Sequence, residues 1–159
     1  MTKPKSQKGG FSLKENDFKE RDFNFSEKQV TILDKMLDPE SSIVFLSGVA
    51  GTGKSFLAAY AALHLLRVNP DKKIIYVRSC VESASKSLGF LPGEKESKTA
   101  PYLMPLLDKV EEIIKEEPAR QLLGNNLISC TPVNFLRGAS WKDKIVITDE
   151  FQNCEVKEL

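Results

Sequence analysis

Apolar residues gather along the chain in short blocks whose spacing changes from one block to the next, and the spacing predicts the elements. From Glu27 to Leu37, Val30, Ile32, Leu33, Met36 and Leu37 recur at helical intervals, and Ser26 with Gln29 fits the capping box S-x-x-Q that starts a helix. Ser42 to Ser47 (SIVFLS) is a compact apolar run rich in β-branched and aromatic residues. Bounded by Pro39 and Gly48, it predicts a strand buried on both faces. Lys54 to Leu66 is dense in Ala, Leu and Tyr and predicts a helix closing before Asn69-Pro70. Lys73 to Arg78 (KIIYVR) predicts a second buried strand. A strand, a helix and a strand in that order make a unit whose natural product is a parallel sheet.

Between Ser79 and Ala100 periodicity fades, and Gly89, Pro92 and Gly93 interrupt the stretch. It is longer than compact domains usually leave without structure, which marks it as functional or unstructured. Helical spacing returns at Tyr102 to Glu117 through Leu103, Leu106, Leu107, Val110, Ile113 and Ile114, ending before Pro118. Leu127 to Thr131 and Ile145 to Asp149 (IVITD) predict further strands, and Phe151 onward reads as the opening turns of a helix. Met1 to Asn24 is polar, rich in Lys and Glu, and broken by Pro4 and Gly9-Gly10, as expected of a flexible arm. Phe11, Phe18, Phe23 and Phe25 qualify this, because such rings can dock an arm on a domain or a partner. The domain proper is therefore expected over 25–159.

Composition adds limits. Of the 159 residues 41% are hydrophobic and 28% charged, ordinary globular usage that supports one domain with a real core. With 23 basic against 22 acidic residues the net charge is +1, so no global field draws the chain to nucleic acid and any such binding is local. Cys80, Cys130 and Cys154 lack metal-ligand spacing and are expected to be reduced thiols of a cytoplasmic protein. No apolar run reaches the roughly 20 residues that span a bilayer, and MTKPKSQKGG does not open like a secretory signal.

The chemistry lies where the first predicted strand meets the second predicted helix. Gly48-Val49-Ala50-Gly51-Thr52-Gly53-Lys54-Ser55 satisfies the P-loop pattern G-x-x-x-x-G-K-[ST] in the strand-to-helix setting that the mechanism demands. Glycines let backbone N–H groups converge on a triphosphate without side chains in the way. The helix start adds its own unpaired N–H groups and the positive end of its dipole. Lys54 reaches the outer phosphates and the Ser55 hydroxyl suits Mg2+. A glycine-rich turn with a chance lysine is the bland alternative. The run Ile145 to Glu150 supplies the second half: an apolar strand delivering Asp149 to hold the metal through water, then Glu150 to orient an attacking water. An acidic cap on a following helix is the competing reading of that pair. The expected ligands are ATP and Mg2+.

These pieces, with Leu88-Gly89-Phe90-Leu91-Pro92-Gly93, Pro101-Tyr102-Leu103-Met104-Pro105-Leu106-Leu107-Asp108, Asn134-Phe135-Leu136-Arg137-Gly138 and Asp149-Glu150-Phe151-Gln152-Asn153, resemble the motifs of the PhoH family in family order. The family is similar in turn to the core of superfamily 1 helicases, and the resemblance covers about Phe25 to the end. It implies a RecA-like α/β fold, a parallel sheet flanked by helices that binds and hydrolyses ATP, with RNA or single-stranded nucleic acid as a partner and ring-forming members. It also implies that Gln29 reads the adenine, against its reading as half of the capping box. Phe56 joins the nucleotide-binding residues after Ser55, and Gln152 senses the nucleotide state or caps the following helix. Arg78 and Arg137 match family arginines that meet phosphate, against ordinary surface salt bridges. Lys86, Lys95 and Lys98 near Phe90 and Tyr102 suggest a basic path for bases to stack along, or a solvated face. His64 is assigned no chemistry.

Three departures from the family pattern stand out. Val81 to Leu88 is one residue longer than usual and lacks a second glutamate. Met104 stands for an arginine, and Ala139-Ser140 follow Gly138 where another arginine is usual. The downstream sensor motif does not occur, so the domain is expected to lack its carboxyl-terminal part. A coupled ATPase is thus weighed against a nucleotide-binding module without useful turnover. A small-molecule kinase is a weaker third reading, because it would need an acceptor pocket.

Overall fold

The computed structural model describes residues 21–78, 95–133, 136 and 138–153, with backbone alone over 95–101. The elements are α1 (Glu27–Leu37), α2 (Lys54–Val68), β1 (Lys73–Arg78), α3 (Lys95–Ile114), α4 (Glu116–Gly124), β2 (Ile128–Pro132) and β3 (Lys144–Asp149), followed by a short 3-10 turn at Phe151–Asn153. The strands form one parallel sheet in the order β2-β1-β3. Ile74 pairs with Ile128 on one side and Ile145 on the other, and the β3 ladder ends with Arg78 opposite Asp149. Helices flank this sheet, and the chain is α/β as its sequence implies.

Strand alternation sorts the side chains. Ile74, Tyr76 and Arg78 share one face with Ile128 and with Ile145, Ile147 and Asp149. Onto that face pack Ala59, Ala62, Leu63 and Leu66 of α2, Leu106, Val110 and Ile113 of α3, and Ala119 and Leu122 of α4, all buried in one cluster with Ile74, Tyr76 and Ile147. The opposite face is uneven: Val77 is buried, whereas Val146 is exposed. A second, smaller cluster of Leu33, Leu57 and Ala61 seats α1 on α2.

The capping box of α1 forms. Gln29 N–H donates to Ser26 Oγ at 3.4 Å and Ser26 N–H donates to Gln29 Oε1 at 2.9 Å. The expected arm also has an ordered end, because Arg21 N–H donates to Ile113 O at 3.0 Å and the Phe23 ring lies 4.9 Å from Phe56, edge to face. Phe25 packs in the same way on Tyr60, at 5.0 Å. Phe11 and Phe18 lie outside the described residues.

Two expectations need correction. Residues 42–47 form no strand: Ile43 is 77% and Phe45 81% exposed, and no ladder joins the segment to the sheet among the described residues. An apolar run becomes a strand only when another strand takes its backbone groups, and among the described residues no strand pairs with it. The long predicted helix divides in two. α3 begins at Lys95, earlier than its periodicity suggests, and stops at Ile114, because Lys115 takes a left-handed φ of 78°. α4 then starts at Glu116 and holds Pro118 in its first turn, where the missing N–H has no helical partner to lose.

Candidate phosphate and metal site

α2 is the fixed wall of the site, since Leu57, Ala59, Ala61, Ala62, Leu63 and Leu66 are all buried along it. Its amino end is built by the glycines. Gly51 at φ +80° and Gly53 at φ +82° are both left-handed, a conformation that strains a side-chain-bearing residue. Gly53 caps the helix without a side chain, and the first helical bond runs from Leu57 N–H to Gly53 O at 2.8 Å. The N–H groups of Lys54, Ser55 and Phe56 therefore have no acceptor within the helix and point out of its end. Thr52 closes the loop by donating from Oγ1 to Val49 O at 2.8 Å.

Lys54 folds back over this loop. Its Nζ donates to Gly48 O at 2.8 Å and Val49 O at 2.9 Å. The ammonium is thus held against the first two residues of the turn. Val49 and Ala50 are exposed at the rim. The Phe56 ring is engaged with Phe23 and Phe25, which leaves its backbone N–H as its contribution. Gln29 approaches from α1, where a Cβ built on Gly53 would lie 3.4 Å from its Nε2. The Gln29 amide thus has Oε1 in the capping box and Nε2 beside the loop.

Asp149 comes from the carboxyl end of β3 and meets α2 directly. Ser55 Oγ donates to Asp149 Oδ1 at 3.0 Å, across 94 residues of sequence. Glu150 N–H donates to the same oxygen at 3.1 Å, while the Tyr76 hydroxyl donates to Oδ2 at 2.7 Å. Since the single Ser55 proton is spent on Asp149, the hydroxyl's lone pairs are the part left for a cation. A hydroxyl and a carboxylate are hard oxygen donors, so this pair fits Mg2+ and not a soft metal.

Glu150 is exposed with φ 54°, and its Oε2 accepts from Gln152 Nε2, so these two predicted residues touch each other. Arg78 stands directly opposite Asp149 in the ladder and on the same face. Arg137, Lys86, Phe90, Cys80 and Cys154 lie outside the described residues, as do the side chains of Lys95 and Lys98. His64 is away from the site, with Nδ1 3.1 Å from Arg67 Nη2.

Tyr76 is the residue that sequence reasoning passed over. Burial, and then the hydrogen bond to Asp149, push its phenol well above the usual range, so it remains a proton donor. The available signal was a hydroxyl among the apolar residues in the middle of the strand KIIYVR, because a buried tyrosine oxygen needs a partner.

Residues 24–159 match the family described as PhoH-like protein. The chain is 42% identical over 113 residues to a PhoH-like protein of Bacillus subtilis, covering 71% of this chain and 35% of the relative. It is 39% identical over 117 residues to a PhoH-like protein of Synechocystis, covering 74% and 35% respectively. With a protein named PhoH2 from Thermobispora bispora it shares 35% identity over 131 residues, 82% of this chain and 30% of that one. The chain thus spans about a third of the length of these relatives. No helix among the described residues is long and apolar enough to cross a membrane.

Proposed function

The chain belongs to the PhoH-like protein family, and from that premise we propose that it binds ATP with Mg2+ at the turn 48–55 and hydrolyses it. The observation that carries this reading is the 3.0 Å contact between Ser55 and Asp149, which joins the phosphate-binding helix end to the acidic strand end in a single site. The N–H groups at the start of α2 and the glycine-built turn receive the phosphates, and Lys54 leaves its carbonyl partners to pair with the outer ones. Gln29 Nε2 is available to the base, and Phe56 contributes through its backbone.

Ser55 and Asp149 would hold the Mg2+, which supplies charge neutralisation at the phosphate oxygens. Glu150, exposed at the end of β3, orients the attacking water and takes its proton. Gln152, bonded to Glu150, is the residue through which the state of the nucleotide reaches the next segment. Arg78 stands beside Asp149 as a further positive charge for phosphate of nucleotide or nucleic acid, a role that the family resemblance also gives Arg137. RNA or another single strand as partner, association of copies of the chain and a cytoplasmic location belong to the same reading.

The second reading is a nucleotide-binding module without useful turnover. It is favoured by the segment ahead of the turn, where Ile43 and Phe45 stand in solvent with no ladder to fix them among the described residues. Phosphate release from ATP and Mg2+, with and without single-stranded RNA, separates the two. Release that is lost in both Lys54→Ala and Glu150→Gln and rises with RNA is the result expected of a coupled ATPase. ATP binding that depends on Lys54 without release under any condition leaves the module.

A further inference from the structure

We propose that Tyr76 is a positioning residue for the metal site: its buried hydroxyl fixes the Asp149 carboxylate in the one orientation that serves Mg2+. The inference rests on the Mg-nucleotide reading above. A carboxylate offers about four acceptor positions. Here Oδ1 takes the Ser55 hydroxyl at 3.0 Å and the Glu150 N–H at 3.1 Å, and Oδ2 takes the Tyr76 hydroxyl at 2.7 Å. Three positions are filled, and the one left, on Oδ2, is open for a water held by the cation.

The fold makes Tyr76 hard to displace. It sits on the central strand, laddered on both sides, 1% exposed, within the cluster formed by α2, α3 and the sheet. It lies two residues before Arg78, which is opposite Asp149, so strand alternation puts its ring on the face that carries the acid. Of the three donors to Asp149, Glu150 N–H belongs to an exposed residue and Ser55 is itself required at the metal. Tyr76 is the donor drawn from the core. Without its hydroxyl, Oδ2 has two open positions and the carboxylate can turn about its terminal bond.

The test is Tyr76→Phe, which keeps the ring and removes only the oxygen. Binding of a fluorescent ATP analogue is titrated with Mg2+, and separately measured in EDTA. The Mg2+ needed for half-maximal enhancement should rise about tenfold, the scale on which outer hydrogen bonds to a metal-ligating group act, while affinity in EDTA stays unchanged. In an Asp149→Asn background the same substitution should add nothing, because the two act through one contact. An unchanged Mg2+ requirement in Tyr76→Phe, or an equal loss in EDTA, overturns the inference while the wild-type response keeps the function reading intact. A wild-type chain that binds without any response to Mg2+ overturns both.

Should the Phe variant fail to fold, 3-fluorotyrosine in the unsubstituted chain gives a second measurement. The fluorine resonance of residue 76, assigned with Tyr60→Phe and Tyr102→Phe, should move when Mg2+ joins bound nucleotide. A resonance that stays still contradicts the proposal.

Discussion

The two halves of the candidate site are held in very different ways. Asp149 ends a strand laddered to β1 over six residue pairs, and its carboxylate accepts from three donors. The segment that leads into the glycine turn has no ladder among the described residues. Its Phe45 ring lies 6.5 Å from Phe151, and both rings are exposed. The turn is therefore anchored from one side, through α2, whose inner face is buried from Leu57 to Leu66. The acid half owes its geometry to non-local pairing and the phosphate half to a local motif seated on a packed helix. The glycine turn thus takes its shape from glycine conformation and the helix end, with little from the segment before it.

The largest effect on both halves is expected from α2. Leu63 is 1% exposed at the centre of the core, so Leu63→Ala should lower unfolding free energy by about 2–5 kcal/mol in urea titration, loosening both halves at once. A smaller effect is expected at the start of α1, the helix that brings Gln29 to Gly53. Ser26→Ala removes one half of the capping box and should cost about 1 kcal/mol by the same measurement. The smallest belongs to the leading segment, where Phe45→Ser should change stability by no more than about 0.5 kcal/mol. In amide exchange, residues 43–47 should exchange far faster than 74–78, on the strand laddered on both sides, and than those N–H groups of 145–148 that face β1. Protection of 43–47 equal to that of β3 would mean the two halves are supported alike.

Much of this arrangement is legible in the sequence. The capping box at Ser26 and Gln29 marks the start of α1, β1 matches its predicted range of Lys73 to Arg78, and the glycine pattern marks the turn. Each of these is written in residues close together in sequence. The misreadings share the opposite property. SIVFLS has the composition of a buried strand, but a strand is completed by a neighbour, which the run itself cannot specify. The break at Lys115 is hidden because apolar spacing continues up to it, and Pro118 marks the first turn of the next helix, not the end of the previous one. The Tyr76 contact to Asp149 spans 73 residues and depends on the register of β1 against β3, which no local pattern encodes.

Whether the nucleotide and its cation meet between the glycine turn and Asp149 is decided by the affinity for ATP with and without Mg2+, measured by calorimetry on the unsubstituted chain and on Asp149→Asn. Mg2+ should tighten binding about tenfold or more in the former and much less in the latter, with metal-free affinity similar in both. The same gain in both chains would contradict it.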